Sequence, residues 1–445
     1  MFEGIKEIFG RRDKNMTEAI SLKNIAGIEP LISSEMATEM RLWKDMYEER
    51  EGLHISAALS FEMARMITVE LRSKISGSKR AEFLDKNYKQ VIDNIRIPVE
   101  YGCAKGGMVM KPYVSNGQIV VDFIQADEFY PTAVDDNGNI IGAVFVQTMA
   151  RGGSFYTRLE GHNLTKDGYE ISNRVFKSNI SGVLGREVSL AEVPEWSSLS
   201  EAITIANVRK PLFGYFKPAV ANSVDPKSPL GISIFANSVN LIEDANRQYE
   251  RFLWEFESGE RALVANSMAF KRDRDGKPRL PDKKLYRTLD VEDVDFFREW
   301  TPTLRGTEIG NGLDRIFRQI EFNSGFAYGT ISTVDSRDRT AEEIRNSKQR
   351  SYTTISDNQK ALQNALLDLV YAMDVWCTLY KLAPMGEYNV SFEFDDSIAA
   401  DRKTEFEEKL TLVNQGIMEP WEFRMWYFGE NEETAKMSVN GKNTV

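Results

Sequence analysis

The sequence predicts an α+β protein, mainly helical, with a β-rich unit enclosed between helical segments. Three observations point there. Apolar residues recur at three- and four-residue spacing in the first hundred residues and again beyond residue 229. Between 102 and 215 the pattern changes to alternation, broken by Asn-Gly turns. From Thr340 to about Leu382 a run without Pro or Gly gives the longest helix signal in the chain.

The elements follow in order. Ser33-Ser34-Glu35 is suited to cap a helix carrying Met36, Met40, Trp43, Met46 and Tyr47 on one side. A second helix is expected over 54–74, with Ile55, Leu59, Met63, Met66, Ile67 and Leu71 on one face. The same style continues over 83–95 toward Pro98. From Gly102 a hairpin is read: Met108-Val109-Met110-Lys111-Pro112-Tyr113-Val114, a Ser115-Asn116-Gly117 turn, then Ile119-Val120-Val121-Asp122-Phe123. A second runs from 130–134 through Asp135-Asp136-Asn137-Gly138-Asn139 into 140–146, and strands are expected over 156–159 and 169–176.

After Asp225-Pro226 and Pro229, Ile234, Val239, Leu241, Ile242, Ala245, Tyr249, Phe252, Leu253 and Phe256 describe a long helix that Gly259 is placed to end. Residues 261–306 are strand-like and punctuated by Asp275-Gly276, Pro278 and Pro281, an excursion before a helix over 307–323. A Gly-, Ser/Thr-rich and charged stretch, 324–339, leads to the long helix. Thr340-Ala341-Glu342-Glu343 opens it, and its second half is expected to bury Leu362, Leu366, Leu369, Val370, Met373 and Trp376. At 1.5 Å per residue it would span about 60 Å, more than a compact enzyme domain ordinarily needs. A strand over 388–394, short helices over 401–416 and 419–428 and a loose tail over 440–445 complete the chain.

Composition narrows the function. With 445 residues the chain exceeds the roughly 250–300 at which single cores stop growing, so two or more structural units are expected. Hydrophobic residues at 42% and charged residues at 28% describe a chain that folds. The two cysteines, Cys103 and Cys377, stand outside any CxxC spacing, which argues against a disulfide scaffold or structural metal and fits assembly in a reducing place. The first fifteen residues lack the apolar core of a signal peptide, and no run approaches the ~20 apolar residues of a membrane span. A soluble protein is expected. Net charge is -11, from 56 basic and 67 acidic residues. That argues against affinity built on neutralising many phosphates but not against weak contact with DNA, and an acidic wall would let DNA slide past without gripping it.

Motifs for chemistry are weak. Gly276-Lys277 and Gly441-Lys442 lack the rest of a phosphate loop, and the glycine-rich 102–107 precedes a strand where a phosphate cradle needs a helix. The acidic run 135–139 lacks EF-hand spacing and reads as a turn. His54 and His162 are the only histidines, which leaves little material for a His-based dyad or metal site. Asp395-Asp396 is better read as a solvated strand end than as a nuclease pair. No catalytic residues, metal or cofactor are assigned. Lys271, Arg272, Arg274, Lys277, Arg279, Lys283, Lys284 and Arg287 form the one basic concentration. It is either a solvated hairpin tip or a contact surface for DNA or an acidic partner.

Taken as an ordered set, Ser60-Phe61-Glu62-Met63-Ala64, residues 101–113, 229–260 and 335–350 with its Arg339-Thr340-Ala341-Glu342-Glu343-Ile344 opening resemble the portal proteins of tailed bacteriophages. The likeness is greatest to the branch common in phages of Gram-positive hosts. It implies a non-enzymatic portal fold with a β-rich wing (1–228, completed by a long helix and return over 340–400), a two-helix stem (229–259 and 307–323) and a small α/β clip (260–306). It further implies a tunnel loop (324–339) and a short helical crown and tail (401–445), less extensive than the family's crowns. Such subunits form closed rings, usually dodecameric, at one capsid vertex of the virion after assembly in the bacterial cytoplasm. The implied partners are further copies of the chain, capsid and scaffolding proteins, the large terminase, the head-tail adaptor, and double-stranded DNA that passes without sequence-specific binding. Ser332, Asp335, Arg337 and Asp338 are expected near that DNA, and the basic patch at the clip near DNA or partners. A connector ring in a headless tail-like particle and a capsid-associated nuclease are the alternatives.

Overall fold

The computed structural model describes residues 22–69, 71–260, 262–273, 275, 277–279, 286–289, 297–333, 341–394, 402–428, 432, 435, 436 and 439. The architecture is mixed α+β. Helix α1 (Ser34–Glu48) starts at Ser33, whose hydroxyl accepts the Met36 N–H at 3.2 Å, and buries Met36, Met40 and Trp43. Helix α2 (Ile55–Thr68) is shorter than expected. The backbone turns extended at Val69, and strand β1 (Arg72–Gly77) pairs antiparallel with β14 (Tyr388–Glu393), over three hundred residues away. Ile75 is buried from that strand. Helical periodicity could not reveal this, because a buried strand and a buried helix end both need apolar residues.

Helix α3 (Lys79–Asn94), capped by Ser78, is followed directly by α4 (Arg96–Lys105). Pro98, expected to mark a helix end, instead occupies the first turn of α4, where N–H groups have no intrahelical acceptor. The glycine-rich run 102–107 is largely the last turn of that helix.

The β-rich region therefore begins at Met108, not Gly102, and it divides into two sheets. Strands β2 (Met108–Ser115) and β3 (Gln118–Gln125) form the expected hairpin, with Asn116 and Gly117 at φ 50° and 72°, the left-handed pair such a two-residue turn requires. Strand β10 (Gly214–Phe216) pairs on the other side of β2. The larger sheet runs β4 (Phe129–Val134), β5 (Ile140–Arg151), β6 (Ser154–Thr165), β7 (Gly168–Ser178), β8 (Arg186–Val188), with β9 (Ala202–Ile205) also on β7.

Helix α5 (Val239–Ser258) starts later than its apolar pattern suggests, because Ile234 donates to the Cys103 carbonyl at 3.0 Å and serves as a packing anchor outside the helix. The excursion holds β11 (Ala262–Asn266), β12 (Tyr286–Leu289) and β13 (Phe297–Trp300), with β11 central, parallel to β12 and antiparallel to β13. Among the described residues of this excursion there is one 3-10 turn and no α-helix. Helix α6 (Gly306–Asn323) returns along α5. Long helix α7 (Ala341–Leu379) has 39 residues, about 58 Å at 1.5 Å per residue.

The main core joins α1 to α4, the smaller sheet, and one face of α7 through Leu362, Leu366, Leu369, Val370, Met373 and Cys377. Trp376, expected in that face, is only partly buried and packs instead beside Tyr169 and Leu212. Helices α8 (Arg402–Asn414) and α9 (Pro420–Phe428) meet through Phe406, Phe423 and Tyr427, and no residue of α9 is buried. No described helix is long and apolar enough to cross a membrane.

Candidate functional site

Helices α5 and α6 lie antiparallel, tied at both ends. At one end the carboxylate of Glu255 accepts from the backbone N–H, Nε and Nη2 of Arg305 at 3.1, 3.2 and 2.8 Å. Those side-chain bonds hold the Glu255 carboxyl below its ordinary value. At the other, Asn323 donates to the Asn237 carbonyl at 3.2 Å. Leu253, Trp254 and Phe256 remain exposed on α5, with Leu304 just before α6. This is apolar surface that the single chain leaves uncovered.

The stretch after α6 is built on Glu321, which is fully buried. Its carboxylate accepts the backbone N–H groups of Gly329 (3.1 Å), Ile331 (2.7 Å) and Ser332 (2.9 Å) and the Ser332 hydroxyl (2.8 Å). Four donors converge on one carboxylate, three of them on Oε1, with the Gly329 N–H shared with Oε2 at 3.2 Å. Thr333 adds a bond to Asp314 at 2.6 Å. From α7, Arg350 donates to the Phe326 carbonyl at 2.9 Å and lies over the rings of Phe322 and Tyr328, 4.4 and 5.4 Å from their centroids. Gly325, at φ 76°, approaches Thr354 so closely that a Cβ would fall 2.6 Å from its hydroxyl. Ser332, expected beside DNA, is thus buried with its hydroxyl committed to Glu321, and in this conformation it is an anchor. Asp335, Arg337 and Asp338 lie outside the described residues.

Of the basic patch, Lys271, Arg272, Lys277 and Arg279 are described and exposed. They flank a hairpin tip in which Arg272 bridges Pro278 and Arg279 N–H donates to the Lys271 carbonyl at 2.6 Å. Asp273 accepts the N–H groups of Asp275 and Lys277, both at 2.9 Å, and so folds the tip with its own carboxylate. Four cations are displayed there together. Arg274, Lys283 and Lys284 lie outside the described residues, and Arg287 stands in β12.

Those remaining sequence candidates that are described are accounted for by structure. Asp135 accepts from Asn137 and from the backbone and side chain of Asn139, closing its own turn. His162 is buried between Glu160 (2.8 Å) and the Tyr169 hydroxyl (2.9 Å). Lys111 and Arg158 reach the same Glu160 carboxylate at 2.5 and 2.8 Å. Burial alone would raise Glu160, but Lys111, His162 and Arg158 hold it well below the carboxylate range. For His162, burial outweighs the pull of Glu160 and depresses the imidazole. Cys103 and Cys377 are unpaired and buried, and burial pushes both thiols up. Among the described residues no group of three or more His, Cys, Asp or Glu is arranged to hold a metal. Asp395 and Asp396 lie outside the described residues.

Sequence reasoning missed Glu321, Glu255 and Arg305. For Glu321 a signal existed: the carboxylate adjoins the apolar positions Leu313, Ile316, Phe317 and Ile320, a poor place for a charge unless something arrives to pair with it.

A family model described as "Phage portal protein, SPP1 Gp6-like" matches residues 67–437. No curated protein matches the chain.

Proposed function

The chain belongs to the SPP1 Gp6-like phage portal protein family, and from that premise we propose that it is the subunit of a closed ring through which double-stranded DNA enters and leaves the capsid. Membership makes it a structural, non-catalytic component of phage DNA packaging. The match over 67–437 is the observation that carries the reading.

In this reading the antiparallel pair α5 and α6 is the stem, and the three-stranded excursion with its basic hairpin is the clip. Residues 324–339 are the tunnel loop, α7 with the N-terminal helices and both sheets of the β-rich region the wing, and α8 with α9 a small crown. The exposed Leu253, Trp254 and Phe256 support self-association, because a cyclic ring buries such apolar surface of each copy against a different surface of the next. Lys271, Arg272, Lys277 and Arg279 supply a cationic tip for the packaging terminase and later the head-tail adaptor, and Arg274, Lys283 and Lys284 are assigned the same role by sequence. Asp335, Arg337 and Asp338 are assigned the role of DNA contact, mixed in charge and so unable to grip it. The ring sits at one capsid vertex, among capsid and scaffolding proteins.

Native mass spectrometry of the purified chain, with negative-stain averages of the same sample, tests this. A closed ring of roughly twelve copies with a central hole is expected. A compact monomer or dimer that cleaves DNA would overturn it.

A further inference from the structure

The first part of the connection between α6 and α7 is folded onto both helices at once. Glu321, from the last turn of α6, takes four donors from Gly329, Ile331 and Ser332, and none of them comes from α7. Arg350, from α7, holds the preceding part through the Phe326 carbonyl and the faces of Phe322 and Tyr328. Phe326 itself is fully buried in the main core. Residues 329–332 cannot leave α6 without stranding a buried carboxylate. Residues 326–328 cannot leave α7 without unstacking a guanidinium and losing its charge-assisted bond.

We infer that Glu321 and Arg350 turn residues 324–333 into a stiff elbow, so that a displacement of α7 is passed to the α5–α6 pair and not absorbed between them. Glu321 is then a positioning residue for DNA passage, acting through the orientation of the paired helices. The inference rests on the portal reading given above.

The test uses full-length rings and particles assembled from them, comparing the unaltered chain with Glu321→Gln and with the milder Ser332→Ala. Glu321→Gln keeps the size of the side chain but places an NH2 group among four donors. The expected result is hydrogen exchange at Gly329, Ile331 and Ser332 at least about tenfold faster, unchanged ring size and yield, and a severalfold loss of packaged DNA per particle. Ser332→Ala should move the same readouts in the same order by less, and it carries the test if Glu321→Gln fails to fold. A purely structural role would lower ring yield and packaging together. Faster exchange with undiminished packaging would overturn the coupling, and unchanged exchange in both variants would overturn the elbow itself. Failure of the unaltered chain to form rings would instead sink the portal reading, before any variant is compared.

Discussion

Glu255 binds Arg305 through both the backbone and the guanidinium of the arginine, so one carboxylate closes the ends of two antiparallel helices. The Arg305 side chain is 70% exposed while that of Glu255 is 9% exposed. Solvent screening weakens the charged contact more than the backbone bond, which also caps the start of α6. Glu255→Ala should therefore speed hydrogen exchange of the Arg305 amide and increase proteolysis within 260–305. Arg305→Ala, which keeps the backbone bond, should do so less. Equal effects would refute this ranking.

The buried set around His162 predicts acid sensitivity. The Tyr169 hydroxyl takes a backbone bond from Leu212 and is left to donate to Nδ1, while Nε2 donates to Glu160, an arrangement that suits neutral imidazole. The surrounding charges are Glu160, Lys111 and Arg158, with Asp122 beyond them. The folded imidazole binds its proton less readily than the unfolded one. Stability should therefore fall as pH drops below about 6.5. Glu160, with a lowered folded value, contributes stability above the ordinary carboxylate range and loses it further down, as pH falls through that lowered value. His162→Gln should flatten the fall in melting temperature that begins below about pH 6.5 and leave the lower, carboxylate limb in place; an unchanged slope would exclude His162 as the cause.

The long helix offers a direct contrast between adjacent leucines. Leu366 is fully buried in the main core and Leu367 is 39% exposed. Leu366→Ala should cost about 2–5 kcal/mol in denaturant unfolding, and Leu367→Ala should stay within about 0.5 kcal/mol if no neighbouring copy covers it. A large loss at Leu367 in the ring but not in the monomer would mark a subunit interface.

The cationic hairpin should be separable from folding. Its four described cations are exposed and its turn is held by Asp273 and the backbone. Reversing Lys271, Lys277 and Arg279 to Glu should leave circular dichroism and ring size unchanged while weakening terminase co-sedimentation about tenfold or more. Unaltered binding would return the patch to a solvated tip. Weakened binding to DNA alone, with a steep salt slope, would assign it to phosphate contact.

By itself the sequence determined the type of those elements whose signals are local. Alternation with Asn116-Gly117 compelled the first hairpin, because only that backbone twist joins two such strands by so short a turn. Ser33 located a helix start and the unbroken run after Thr340 the long helix, since caps, turns and periodicity are local properties. What only the tertiary structure decided is non-local. The pairing of β1 with β14 cut α2 short, Ile234 was drawn onto Cys103 and out of α5, and Pro98 was accommodated inside a helix. The same holds for Glu321 and Ser332: a carboxylate on an apolar helix face becomes an anchor, and an expected DNA contact becomes buried, once ten residues of loop fold back to supply four hydrogen bonds. Burial of a charge depends on partners brought from elsewhere in the chain, and spacing along the chain does not encode them.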